Sequence, residues 1–236
     1  MAAGVIQPSD PFDPPSSWSS RLWSGIEEIY PAILGHPFLT GLTDGDLDPA
    51  AFSYYVAQDA HYLRDYARAL AIVGAKAATH EQTAMFARHA AGAVEVELSL
   101  HSRLLGELGL DATQLESAVI SPTTRAYCSY LLATAYGGTF AEGLAAVLPC
   151  YWIYARVGAE LAAAGSPDLR FQRWIDTYAG EEFALVVNEV LAVTDQVGAG
   201  LSETEATRAQ AHFVTTSRYE WMFWDAAWRQ ERWPLS

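Results

Sequence analysis

Apolar residues in this chain recur at intervals of three and four, as in Leu22, Ile26, Ile29 and Ile33, and nowhere fall into the two-residue alternation bounded by turns that marks a half-buried strand. That period makes each segment an amphipathic helix and predicts an all-α chain. The start and stop signals agree. Asp48-Pro49 opens a long helix reaching about Lys76, because an Asp cap satisfies orphan N–H groups and a proline at the first helical position presets the backbone. Thr79 followed by Gln82 has the form of a capping box for a second long helix, ended by the glycines near Gly106 to Gly109. Ser121-Pro122 starts a third, stopped at Gly137-Gly138. Residues 139–164 read as a helix containing Pro149, which frees a backbone carbonyl and bends the helix. Ser166-Pro167 opens a helix through Tyr178, a turn at Gly180 precedes another to about Val197, and Ser202 with Glu205 caps the last. The expectation is a single-domain multi-helix bundle of seven or eight helices over residues 17–236. Residues 1–16, with Pro8, Pro11, Pro14 and Pro15, read as a loose tail.

A chain of 236 residues that is 51% hydrophobic can fill one substantial core. Its formal net charge of -14 argues against nucleic acid, which is bound by Lys and Arg displacing counterions from phosphates, and disfavours anionic membranes. No stretch reaches the roughly 20 uninterrupted apolar residues of a membrane-spanning helix, and Met1 to Asp10 carry neither Lys nor Arg. The two cysteines, Cys128 and Cys150, are too few for a disulfide framework and fit a reducing compartment. The chain therefore reads as a cytoplasmic protein.

Three segments carry candidate chemistry. In Leu148-Pro149-Cys150-Tyr151-Trp152-Ile153-Tyr154 a cysteine follows a helix-bending proline, with Tyr154 one turn later on the same face; Cys150 is either an exposed nucleophile or a space-filling core thiol. Asp59 lies in Gln58-Asp59-Ala60-His61-Tyr62-Leu63, on a face shared with Phe52, Tyr55 and Tyr62. Burying a carboxylate there is costly unless partners compensate, so Asp59 is either half of an ion pair or an anchor for a ligand amino group. Glu220 sits in Ser217-Arg218-Tyr219-Glu220-Trp221-Met222-Phe223-Trp224, where it is either a desolvated acid of raised pKa or a surface partner of Arg218. Glu97 and His101 are one turn apart with Glu142 as a candidate third ligand, but His36, His61, His80, His89 and His212 supply no second constellation, so no metal is expected. No phosphate-binding glycine loop and no Gly-x-Ser-x-Gly elbow occurs.

Taken in order, these segments resemble the thiaminase II (TenA) family of the haem-oxygenase-like all-helical fold. The resembling blocks are Tyr55-Val56-Ala57-Gln58-Asp59 through Tyr62-Leu63, Ala126-Tyr127 through Tyr130-Leu131-Leu132, Leu148 to Tyr154, Trp174-Ile175 through Tyr178, and Ser217-Arg218-Tyr219-Glu220 through Phe223-Trp224. The resemblance implies Cys150 as nucleophile, Glu220 as acid/base and Asp59 as anchor for a pyrimidine amino group. It further implies Tyr127, Tyr154 and Tyr178 around the same pocket, with Tyr178 assisting catalysis, and Tyr62 as an aromatic wall. It implies an aminopyrimidine or thiamin as the small-molecule substrate, no cofactor, and a homotetramer. The proline-rich tail and His61 match nothing in the family pattern. Two rival readings are a thiamin- or pyrimidine-binding regulatory module without turnover, and an oxidoreductase that shares only the fold.

Overall fold

The computed structural model describes residues 17–108 and 118–235, with the side chains of 96–108 outside the description. The proline-rich tail and Gly109 lie outside the described residues, as do the side chains of Glu97 and His101. Among the described residues there are ten helices and no strand. They are α1 (Trp18–Ser24), α2 (Ile29–Leu34), α3 (Pro37–Asp44), α4 (Pro49–Ala75), α5 (His80–Leu108), α6 (Pro122–Gly137), α7 (Phe140–Ala164), α8 (Leu169–Ala179), α9 (Glu181–Gly198) and α10 (Glu203–Trp228).

Most boundaries fall where side chains can close them. Asp48 accepts from the Ala50 N–H at 2.8 Å at the start of α4, Thr79 accepts from the Gln82 N–H at 3.2 Å ahead of α5, and Ser121 accepts from the Thr124 N–H at 3.1 Å at the start of α6. Thr139 with Glu142 and Ser202 with Glu205 form reciprocal capping boxes on α7 and α10. Three expectations need correction. The Leu22 to Ile33 pattern spans two helices, because the chain turns at Gly25, where a Cβ would meet the Gln210 amide at 3.0 Å and the Leu22 carbonyl at 3.1 Å. With α1, α2 and α3 all short, the count exceeds seven or eight. Finally, Ser166-Pro167 does not open α8: Asp168 caps it, accepting from the Arg170 N–H at 2.8 Å, while Ser166 accepts from Asp168 itself.

One continuous buried cluster runs through the molecule. Helix α4 packs along α5 on one side and along α6 on another; α7 packs along α10 and α8; α10 also touches α4 and α6. The four helices α4, α6, α7 and α10 thus enclose a common interior, and α8 closes against α7 beside it. That closure depends on Gly158, where a Cβ would lie 2.5 Å from the Tyr178 carbonyl carbon and 2.7 Å from the Ala179 nitrogen. Any side chain at 158 would push α8, and Tyr178 with it, away from α7. Pro149 sits within an otherwise continuous α7.

Candidate active site

The interior of the four-helix enclosure is rich in phenols. From α4 come Tyr55, Asp59, Tyr62 and Tyr66, successive members of one face at spacings of three and four; α6 supplies Tyr127, α7 supplies Cys150, Tyr151 and Tyr154, α8 supplies Trp174 and Tyr178, and α10 supplies Glu220, Phe223 and Trp224. The rings interlock at close range, with centroids 4.9 Å apart for Tyr62 and Tyr127, 4.8 Å for Tyr154 and Tyr178, and 4.8 Å for Trp174 and Tyr178. Tyr66 stacks on Tyr62 at 5.3 Å, and Tyr219 stacks on the outer face of Tyr127 at 5.1 Å with the rings 9° from parallel.

Two hydrogen-bonded runs cross this interior. In one, the Trp174 N–H donates to the Tyr55 hydroxyl at 3.4 Å, which donates to the Tyr154 hydroxyl at 3.3 Å. In the other, the Tyr62 hydroxyl donates to that of Tyr127 at 3.3 Å, which donates to Glu220 Oε1 at 2.6 Å. Glu220 is 1% exposed, so it is not a surface partner of Arg218. Burial pushes its carboxyl up to about 8, opposed by the Tyr127 hydrogen bond and reinforced by the charge of Asp59. A carboxyl so held can both donate and accept a proton near neutrality.

Cys150 is half-buried and faces the same interior. Burial raises its thiol well above the ordinary value, as do the charges of Glu220 and Asp59, whereas the Tyr62 and Tyr66 hydroxyls favour the thiolate by hydrogen bonding. Asp59 is buried, and its charge is felt by Tyr55, Tyr154 and Tyr178 as well as by Cys150 and Glu220. All seven residues singled out in the sequence, Cys150, Glu220, Tyr178, Asp59, Tyr62, Tyr127 and Tyr154, therefore converge. Tyr66, Tyr151 and Phe223 have no role in the sequence reading; Tyr66 is findable there, since it continues the Asp59–Tyr62 face by one more turn.

Other candidates lie elsewhere. His61 points away from this interior, its Nε2 2.8 Å from the Ala118 carbonyl. Cys128 is 1% exposed in the core. Glu142 is occupied at the start of α7, accepting from the Thr139 N–H at 2.7 Å and pairing with Arg208 at 3.3 Å. Among the described residues no group of three or more His, Cys, Asp or Glu side chains is arranged to hold a metal ion, and no helix is long and apolar enough to cross a membrane.

Comparison with known proteins gives this geometry a context. An aminopyrimidine aminohydrolase of Halalkalibacterium halodurans is 35% identical over 219 residues, covering 92% of this chain and 98% of that one. The structure of a TenA homologue from P. horikoshii OT3 superposes with a TM-score of 0.82 at 32% identity, covering 90% of this chain and 99% of that one. A Shewanella denitrificans domain with a heme oxygenase-like fold superposes with a TM-score of 0.72 at 17% identity, over 90% and 92% of the two chains, which speaks for the fold alone. The TENA/THI-4/PQQC family pattern matches residues 23–230, and the chain belongs to that family.

Proposed function

We propose that this protein is a thiaminase II-type aminopyrimidine aminohydrolase that uses Cys150 for covalent catalysis in thiamin salvage. The observation that carries the reading is the convergence, inside one phenol-lined enclosure, of a thiol, a carboxyl held to about 8 and a second buried carboxyl. The named relative over nearly the full length supports the same substrate class.

The chemistry balances without an added oxidant or reductant. The Cys150 thiolate adds to an electron-poor carbon of the pyrimidine ring while Glu220 protonates a ring nitrogen, so negative charge does not accumulate. Breaking aromaticity lets the amine, protonated as its ammonium, leave the adjacent methylene as ammonia, with the electron pair of the dearomatised ring forming the exocyclic double bond. Water then adds to that methylene, and expulsion of the thiolate restores the ring as a hydroxymethylpyrimidine. Asp59 accepts from the amino edge of the ring, and Tyr62, Tyr127, Tyr154 and Tyr178 wall and orient it. Burial does most to hold the Cys150 thiol neutral and the charges of Glu220 and Asp59 add to it; a protonated Glu220 and an Asp59 engaged with an amino group remove those two added contributions and so ease thiolate formation.

Incubation with 4-amino-5-aminomethyl-2-methylpyrimidine, its formylated precursor and thiamin, followed by mass detection of the hydroxymethylpyrimidine, tests the proposal. Product from the aminomethyl compound is expected; binding without product from any of the three would make the chain a binding module instead. The proposal includes a cytoplasmic homotetramer. Exposed Trp228, Trp233 and Leu185 are apolar surface that assembly would cover. Light scattering should return about four times the 25.8 kDa chain mass, and an active monomer would defeat that part.

A further inference from the structure

His61, which the chemistry above leaves unused, lines a cavity of about 320 Å³ on the side of α4 away from the phenols. Helix α4 contributes His61, Arg64, Asp65 and Arg68, spaced by three and four so that they share a face, and α6 contributes Arg125. The facing wall is the segment 118–121, and three side chains pin it. His61 Nε2 lies 2.8 Å from the Ala118 carbonyl, and the Trp233 indole N–H donates to the Ile120 carbonyl at 2.9 Å. Gln58 donates to the Val119 carbonyl at 3.0 Å and accepts from the Ser121 N–H at 2.9 Å. The wall is therefore fixed without help from the guanidiniums.

The charge of this lining runs against that of the chain. Acidic residues outnumber basic ones by 28 to 14 overall, whereas here three guanidiniums face one carboxylate, that of Asp65. Asp65 pairs with Arg68, so the described lining carries a surplus of two positive charges with His61 neutral. The nearby start of α6 is not the source of the attraction, because Glu231 already accepts from the Thr123 N–H at 2.9 Å and Ser121 from the Thr124 N–H at 3.1 Å.

We propose that this cavity binds a phosphate dianion at a site separate from the phenol-lined enclosure. Guanidinium forks pair with phosphate oxygens two at a time, and a dianion matches the surplus charge; a carboxylate brings one charge and two oxygens, too few for three forks. The volume is that of a small ligand site, with Ala118 and Ile120 offering an apolar surface to the alcohol part of a phosphomonoester. The enclosure itself repels phosphate, since Asp59 and Glu220 are its carboxyls. The inference is independent of the role of Cys150.

Calorimetric titration of the full chain with inorganic phosphate, glycerol 3-phosphate and acetate at matched ionic strength tests it. Saturable binding of phosphate and none of acetate is expected, weakening as chloride is raised. Tighter binding of glycerol 3-phosphate identifies an ester as the ligand, and tighter binding of inorganic phosphate identifies the free ion. Arg125→Gln, a change at an exposed side chain, should weaken binding by about tenfold or more, the loss of one hydrogen bond between charged groups. Asp65→Asn should strengthen it, because the carboxylate that competes for Arg68 is gone, and a damaged fold would not give a gain. Hydroxymethylpyrimidine should leave phosphate binding unchanged. Absence of saturable binding overturns the proposal, as does equal affinity in Arg125→Gln or displacement of phosphate by hydroxymethylpyrimidine. If Asp65→Asn fails to fold, Arg125→Gln decides alone.

Discussion

Cys128 on α6 and Cys150 on α7 are both thiols on helices, and burial raises the pKa of both, yet their surroundings differ in kind. Cys128 is pushed up to about 12, with the charge of Asp65 adding to burial and with Arg125 and a backbone hydrogen bond opposing. Cys150 meets the hydroxyls of Tyr62 and Tyr66, together with two carboxyls whose charges a ligand can cancel. Burial by itself makes a thiol inert; what separates the two is whether the groups facing it can change state.

The widest separation should come from serine substitution. Cys150→Ser is expected to lower turnover by several orders of magnitude, since an alkoxide is far harder to form than a thiolate, while Cys128→Ser leaves turnover close to the parent value. Equal losses in steady-state assays would show that the comparison is misdrawn.

Glu220→Gln tests whether a group of changeable charge is what distinguishes the Cys150 side. A loss of roughly 10²–10⁴-fold in kcat is expected. With the carboxyl at about 8, parent activity that needs the acid form should be present below that pH and fall as pH rises through it. The stability sign is the same: the folded value is raised from 4.5, so the contribution is fully present below 4.5 and lost as pH rises through about 8. Denaturation curves of Glu220→Gln should lack that slope, and an unchanged slope would show that another group titrates.

Asp59→Asn keeps the size of the side chain but replaces an acceptor with a donor. Affinity for the hydroxymethylpyrimidine product, measured by calorimetry, should weaken by roughly 1.5 to 3 kcal/mol, the range for a hydrogen bond to a charged group. Equal affinity would make Asp59 structural. The smallest effect belongs to Cys128: its serine variant buries a new hydroxyl and should lose about 1 to 3 kcal/mol in urea unfolding with kcat unchanged. No stability loss would mean that the new hydroxyl finds a hydrogen-bond partner in the core.

Much of the helical layout was legible because caps act locally. Asp48, Ser121 and Ser202 each bond to an N–H two or three residues ahead, a relation that neighbouring letters contain in full. The break at Gly25 was not legible, because the apolar spacing from Leu22 to Ile33 continues across it while the backbone turns. Nor was the Asp168 cap, hidden behind a Ser-Pro pair that looks like a stronger start.

For the site, the residue types and the α4 face could be read from the chain, since Asp59, Tyr62 and Tyr66 share a face by helical spacing alone. The partnerships could not. Glu220 meets Tyr127 across 93 residues of sequence, and His89 meets Tyr151 across 62. Sequence determines periodicity and capping because both are interactions within a turn or two of one helix; it leaves open which helix faces which. That was decided by packing, down to Gly158, whose missing side chain lets α8 approach α7 and bring Tyr178 to Tyr154.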